Sequence, residues 1–103
     1  MTGVYLVTFR LRPGEFDEEF RALNATVEEA AESTPGYRGR RTWESTDGDE
    51  ILVTYRWESR EALAAFEADE DHLEAKARWE EWYEAYEVTV AEVVDSYGQG
   101  FEE

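Results

Sequence analysis

Hydrophobic and polar positions alternate from the start of the chain. Across residues 4–12, Tyr5, Val7, Phe9 and Leu11 fall on one side, and Val4, Leu6, Thr8, Arg10 and Arg12 on the other. That two-residue period is a strand with one apolar and one mixed face. Pro13-Gly14 breaks it. The period then changes: Phe16, Phe20, Leu23, Val27 and Ala30/Ala31 recur every three or four residues. This predicts an amphipathic helix of about five turns, with Glu18, Glu19, Glu28, Glu29 and Glu32 outward. Pro35-Gly36 stops it. Two β-rich runs, 37–46 and Ile51–Trp57, flank Asp47-Gly48 and read as a hairpin. In the second run Ile51, Val53, Tyr55 and Trp57 share one face, and Leu52, Thr54 and Arg56 the other.

Ser59 is placed to cap a short helix with Leu63 and Phe66 inward. Asp69 or Asp71 can cap a further helix over 72–86. On that helix His72, Ala75, Trp79, Trp82, Tyr83 and Tyr86 fall within an arc of about 100°. Glu74, Glu80, Glu81, Glu84 and Glu87 lie off the arc, so one wall is aromatic and the other acidic. The last strand is expected over 87–97, carrying Val88, Val90, Val93 and Val94, with a bulge where the alternation slips at Ala91-Glu92. The domain is read as 1–97, followed by a polar tail over 98–103. The order β-α-β-β-α-β is the ferredoxin-like split βαβ arrangement, an α+β fold with a four-stranded antiparallel sheet. Its helices cover one sheet face. The semi-apolar second face, with Val4, Leu6, Leu52 and Thr54, fits a sheet that meets another sheet, which predicts a homodimer.

Charge narrows the partners. Ten basic residues stand against twenty-six acidic ones, a net charge of −16. Such a surface repels phosphate backbones and anionic lipid, so neither nucleic acid nor membrane is an expected partner. It also suits a protein adapted to high salt, where screening removes self-repulsion. With no cysteine and a single histidine, disulfides, thiolate metal sites and a multi-histidine zinc site within one chain are excluded. The first residues lack the basic region of a signal peptide, and no run is long enough to span a bilayer. A cytoplasmic protein is expected.

The aromatic stripe has two readings. Stripes at helical spacing are usually core. The alternative is one wall of a pocket for a flat aromatic molecule, with Trp79, Trp82, Tyr83 and Tyr86 stacking on it. Tyr5, Val7, Phe9, Tyr55 and Trp57 would form the opposite wall, with Phe66 at one end. His72 is either a hydrogen-bonded structural residue or a proton acceptor, its reference pKa near 6.5 suiting a general base. Arg38, Arg40 and Arg41 form a basic cluster, read as salt bridging across the hairpin or a dimer interface, with an anionic-substrate clamp as the alternative.

Three runs together resemble the antibiotic-biosynthesis-monooxygenase family: VTFRLRPGEFDEEF, TPGYRG and VTYRWESREAL. His72 and the final VTVAEVVDSYG also fit its layout, so the resemblance spans residues 4–97. It implies a dimeric α+β barrel in which two four-stranded sheets pack face to face, with a pocket in each subunit between sheet and helices. It further implies oxidation of a small phenol or quinol by O₂ without metal, flavin or other cofactor, the substrate supplying the electrons. A non-catalytic small-molecule binding protein on the same scaffold is the rival reading. The family's haem-degrading branch pairs an Asn, a Trp and a His at places that here hold Val7, Phe66 and Lys76, so it is not favoured.

Overall fold

The computed structural model describes residues 4–101. Strand β1 (Tyr5–Pro13) leads to helix α1 (Glu18–Ser33), then strands β2 (Tyr37–Glu44) and β3 (Ile51–Trp57). Helices α2 (Arg60–Glu67) and α3 (Glu70–Ala77), the single turn α4 (Trp79–Trp82) and strand β4 (Tyr83–Glu92) complete it. The strands lie in the order β2-β3-β1-β4, and every neighbouring pair is antiparallel. This is the ferredoxin-like α+β architecture. Among the described residues no helix is long and apolar enough to cross a membrane.

Helices α1, α2 and α3 each begin where a side chain takes up free N–H groups of the first turn. Asp17 accepts from the Phe20 N–H at 2.9 Å, Ser59 from that of Ala62 at 3.1 Å, and Asp69 from those of Asp71 and His72. Gly36 turns the chain from α1 into β2 with φ +97°, and a Cβ there would come within 2.6 Å of the Ala62 side chain. Only glycine meets both conditions.

Register sorts the sheet into two faces. Val7, Leu11, Val53 and Trp57 are buried on the helix side. At one end Trp57, 1% exposed, packs with Val7, Ala31, Ala62, Leu63 and Phe66 to form the core. Leu6, Thr8 and Arg10 of β1 pair with Arg56, Thr54 and Leu52 of β3 on the opposite face. Arg41 and Trp43 of β2 join that face beside Thr54 and Leu52.

Three sequence expectations are corrected. The helix expected over 72–86 does not form: α3 stops at Ala77, and Tyr83 and Tyr86 belong to β4. The cause is competition. Arg78, at φ −102° and ψ 19°, caps α3, while the backbone beyond Trp82 pairs with β1, Tyr83 opposite Pro13 and Tyr86 opposite Leu11. Aromatic and β-branched residues on a pleated, half-buried surface favour that ladder. Next, β4 runs over Tyr83–Glu92 rather than 87–97. Finally, the irregularity sits opposite Arg12/Pro13, where β4 carries an extra residue, and not at Ala91-Glu92.

Candidate functional site

The half of the helix-side face left open by the core is a groove of about 160 Å³ between α1 and the sheet. Its sheet wall is Phe9 and Leu11 of β1, Ile51, Val53 and Tyr55 of β3, and Tyr83 of β4. Phe16 and Phe20 form the helix-side wall. Phe16 and Phe20 stack at 4.2 Å between ring centroids, and Tyr83 meets both edge-on, at 5.9 and 6.0 Å. Phe9 closes the ring set at 5.6 Å from Tyr83. A dry apolar cavity of roughly 150 Å³ is known to take a benzene ring, so this groove is on the scale of one small aromatic.

Polar groups converge at one end. Asn24 and Glu28 project from α1, and Arg40 and Thr42 from β2. Arg40 Nη2 lies 2.9 Å from Glu28 Oε1, both side chains about one-third exposed. Asn24 Nδ2 donates to the other carboxylate oxygen at 3.0 Å. Glu28 and Arg40 are the only carboxylate and the only cation among the lining residues. The two hydroxyls nearby behave differently from that pair: burial pushes the Tyr55 and Tyr83 phenols up to about 12. At neutral pH they are hydrogen-bond donors and cannot serve as phenolate bases.

Of the residues anticipated from the sequence, the fold brings Phe9, Tyr55 and Tyr83 together in this groove. Val7, Trp57 and Phe66 lie in the packed core instead, and Tyr5 rests against it. Trp82 is 2% exposed. Its ring meets Phe20 at 5.3 Å, and its indole N–H donates to Asp17 Oδ1 at 3.1 Å. Trp79 and Tyr86 pack on each other at 5.1 Å, and Tyr86 also touches Phe9.

His72 is not among the groove's lining residues. Its ring packs on Phe66 at 4.6 Å, and its Nδ1 is 3.4 Å from the Glu67 carbonyl oxygen. Burial lowers its pKa below the ordinary imidazole value. The break in the expected helix is what separates His72 from Tyr83.

Phe16, Phe20, Asn24, Glu28 and Thr42 line the groove without having been anticipated as site residues. Glu28 was expected on the outer helix face, and Arg40 in salt bridging across the hairpin or a dimer interface, with an anionic-substrate clamp as the alternative. Arg40 does form a salt bridge, but to α1 across the groove end. One signal was available: Asn24 lies four residues after Phe20 and so falls on the inward stripe, and Glu28 lies four after Asn24.

A ferredoxin-like sheet with a groove lined by aromatic side chains beneath its first helix defines a small α+β domain with one face open beside its core. The sequence model of the antibiotic biosynthesis monooxygenase family matches residues 3–78, and the chain belongs to that family. It is 31% identical over 90 residues to the uncharacterized protein YqjZ of Bacillus subtilis, covering 86% of this chain and 78% of that protein. Its structure is similar to that of Rv0793 from Mycobacterium tuberculosis, with a TM-score of 0.76, 26% identity, and 93% and 100% of the two chains covered. Its fold is equally close to that of SnoaB, a cofactor-independent oxygenase from Streptomyces nogalater, in a mutant form. There the TM-score is 0.76 at 12% identity, over 93% and 98% of the chains.

Proposed function

We propose that this protein is a cofactor-independent monooxygenase that oxidises a small phenol or quinol with O₂ in the groove between α1 and the sheet, acting as a homodimer. The observation that carries the reading is the groove itself: an aromatic slot whose one charged pair, Arg40 and Glu28, sits at its polar end. Family membership and the fold shared with SnoaB support the oxygenase chemistry. A phenol ring would lie among Phe9, Phe16, Phe20 and Tyr83. Its hydroxyl would meet Arg40, whose guanidinium favours the deprotonated form, and Glu28, the acceptor for the proton. A phenolate is electron-rich enough to pass electrons to O₂. The balance closes without another reductant: phenol and O₂ give quinone and water. One ring carbon gains an oxygen atom, and the O–H and C–H hydrogens leave with the other.

A non-catalytic binding role on the same groove has one observation in its favour. Both Glu28 oxygens are already engaged, one by Arg40 and one by Asn24, which holds the carboxylate still. Oxygen uptake with a panel of simple quinols separates the two. Enzyme-dependent uptake that yields the hydroxylated quinone supports the oxygenase. Saturable binding of the same quinols without uptake supports the binding protein.

The homodimer is supported by the open sheet face. Leu6 and Leu52 stand on it with Trp43, which is 53% exposed, and a solvated patch of this kind is what sheet-on-sheet pairing covers.

A further inference from the structure

Tyr37 and Arg40 both stand on the helix side of the sheet, although they are three residues apart in sequence. Regular alternation would put them on opposite faces. The register accounts for it. Tyr37 lies opposite Trp57 and Arg40 opposite Tyr55, so β2 uses one residue more than β3 over the same span. That is a bulge at Arg38-Gly39. Gly39 carries it with φ +109° and open space where a Cβ would stand. Tyr37 thus keeps its ring on Trp57, 5.1 Å between centroids, while Arg40 and Thr42 turn into the groove. Arg40 and Tyr55 become side-by-side neighbours, as directly opposed residues on one sheet face do.

The Tyr55 hydroxyl is left unspent by the protein. It makes no hydrogen bond to another protein group among the described residues. Asn24 and Arg40 both turn to Glu28 instead. No fully enclosed side-chain oxygen lacks a partner among these residues, so the hydroxyl is open to the groove its ring lines. Burial pushes this phenol up to about 12, with Arg40 and Glu28 then acting on it in opposite directions. It holds its proton at neutral pH and has it to donate. The Tyr83 hydroxyl is unpaired as well, but its ring stands among Phe9, Phe16 and Phe20. Tyr55 is the one beside the charged pair.

We infer that the Tyr55 hydroxyl donates a hydrogen bond to the substrate's phenol oxygen as that oxygen ionises between Arg40 and Glu28. The inference rests on the reading of the groove as a phenol site, and it adds the donor that selects the ionised form. Only a proton moves in this step. The substrate O–H bond breaks, its electron pair stays on the oxygen, and a new O–H bond forms on Glu28. Tyr55 keeps its own proton. A neutral phenol both donates and accepts, whereas a phenolate only accepts. A hydrogen bond to an ionised oxygen is about twice as strong as one to a neutral group. Tyr55 therefore stabilises the product of the proton transfer more than its reactant. The ligand class follows: aromatic rings with an ionisable hydroxyl, held better as that hydroxyl becomes more acidic, and not their methyl ethers.

4-Nitrophenol tests this without turnover, since it resists oxidation and its phenolate is coloured. Absorbance titration of the full chain saturated with it gives the ionisation constant of the bound phenol. Tyr55→Phe keeps the ring and should lower that constant about tenfold, the effect of one hydrogen bond to a charged group. Binding of the neutral form, at a pH where the phenol is not ionised, should change less than about threefold. Incorporating 3-fluorotyrosine at position 55, a stronger donor in the same ring, should move the constant the opposite way. That measurement also covers a Tyr55→Phe chain that fails to fold. His72→Phe is the reference and should leave the constant unchanged. Saturable binding with one ionisation constant in wild type and both Tyr55 variants overturns the inference and leaves the groove standing as a phenol site. Equal weakening of the neutral and ionised forms also overturns it, because that is lost packing. Absence of saturable binding removes the phenol reading of the groove and this inference with it.

Discussion

Asp17 and Trp82, 65 residues apart in sequence, share a hydrogen bond: the indole N–H donates to Asp17 Oδ1 at 3.1 Å. The same oxygen accepts the Phe20 N–H at 2.9 Å. One carboxylate therefore starts α1 and pins the turn that leads into β4. The Phe20 N–H, and after it the indole, hold the carboxyl below the usual carboxylate range. Phe20 and Tyr83, the neighbours of these two contacts, face each other across the groove. The bond thus ties a helix cap to the shape of the site.

Asp17→Ala should lower the melting temperature by about 4–8 °C, as loss of a helix cap does in a domain of this size. The sign of the pH effect follows from the lowered carboxyl. Its stabilisation is present above the unfolded carboxylate pKa and is lost as pH falls through the folded one. The gap between wild type and variant should therefore close below about pH 4. A gap that persists at pH 2–3 would mean the carboxylate's charge is not what the cap uses.

Gly14→Ala tests the other tie between these segments. The Gly14 N–H donates to the Trp82 carbonyl at 2.8 Å, and a Cβ at this position would stand 2.8 Å from that same oxygen. Backbone must move, at a cost of about 1–3 kcal/mol. Chemical denaturation should show it as a lower midpoint with the slope unchanged. An unshifted midpoint would place the two segments further apart than described.

His72 makes a separate pH prediction. Its pKa is lowered first by burial against Phe66 and also by Lys76, with Glu67 and Asp69 opposing. The unfolded chain binds the proton more readily, so stability should fall as pH drops below about 6.5 and flatten once the folded pKa is passed. His72→Phe keeps a ring beside Phe66 and removes the titration. Urea midpoints between pH 5 and 8 should slope more steeply for wild type than for the variant. Equal slopes would mean that the imidazole is free to titrate in the folded state.

Excess negative charge should make stability depend on salt. The screening length falls from about 10 Å at 0.1 M to about 3 Å at 1 M. With a net charge of −16, the melting temperature should rise over that range in NaCl. A flat or falling curve would show that the acidic groups repel one another too little to matter.

The element order was legible because each break is written locally: Pro13-Gly14, Pro35-Gly36, Asp47-Gly48, and the caps Ser59 and Asp69. The Trp82–Tyr83 boundary was not. Positions 79, 82, 83 and 86 satisfy a helical period, while Tyr86, Val88 and Val90 satisfy a strand period. Pairing with β1 decides between them, and that pairing is set from seventy residues away. The aromatic half of the groove was partly readable, since Phe9 and Tyr55 follow from strand alternation. Its charged end was not, because Arg40 meets Glu28 only through the β2–β3 register and the packing of α1 on the sheet.

The central claim is that chemistry takes place at the Arg40–Glu28 end of the groove and not at the lone histidine. Initial rates of oxygen uptake with the preferred quinol, measured for matched folded variants, test it most directly. Glu28→Gln should lower the rate by about a hundredfold or more, as loss of a general base does. Tyr83→Phe should cost about tenfold or less, since it removes one hydrogen bond and keeps the ring. His72→Phe should stay within a factor of about three of wild type, the imidazole making no contact with a reacting group. A His72→Phe variant that loses uptake while Glu28→Gln retains it would contradict the account.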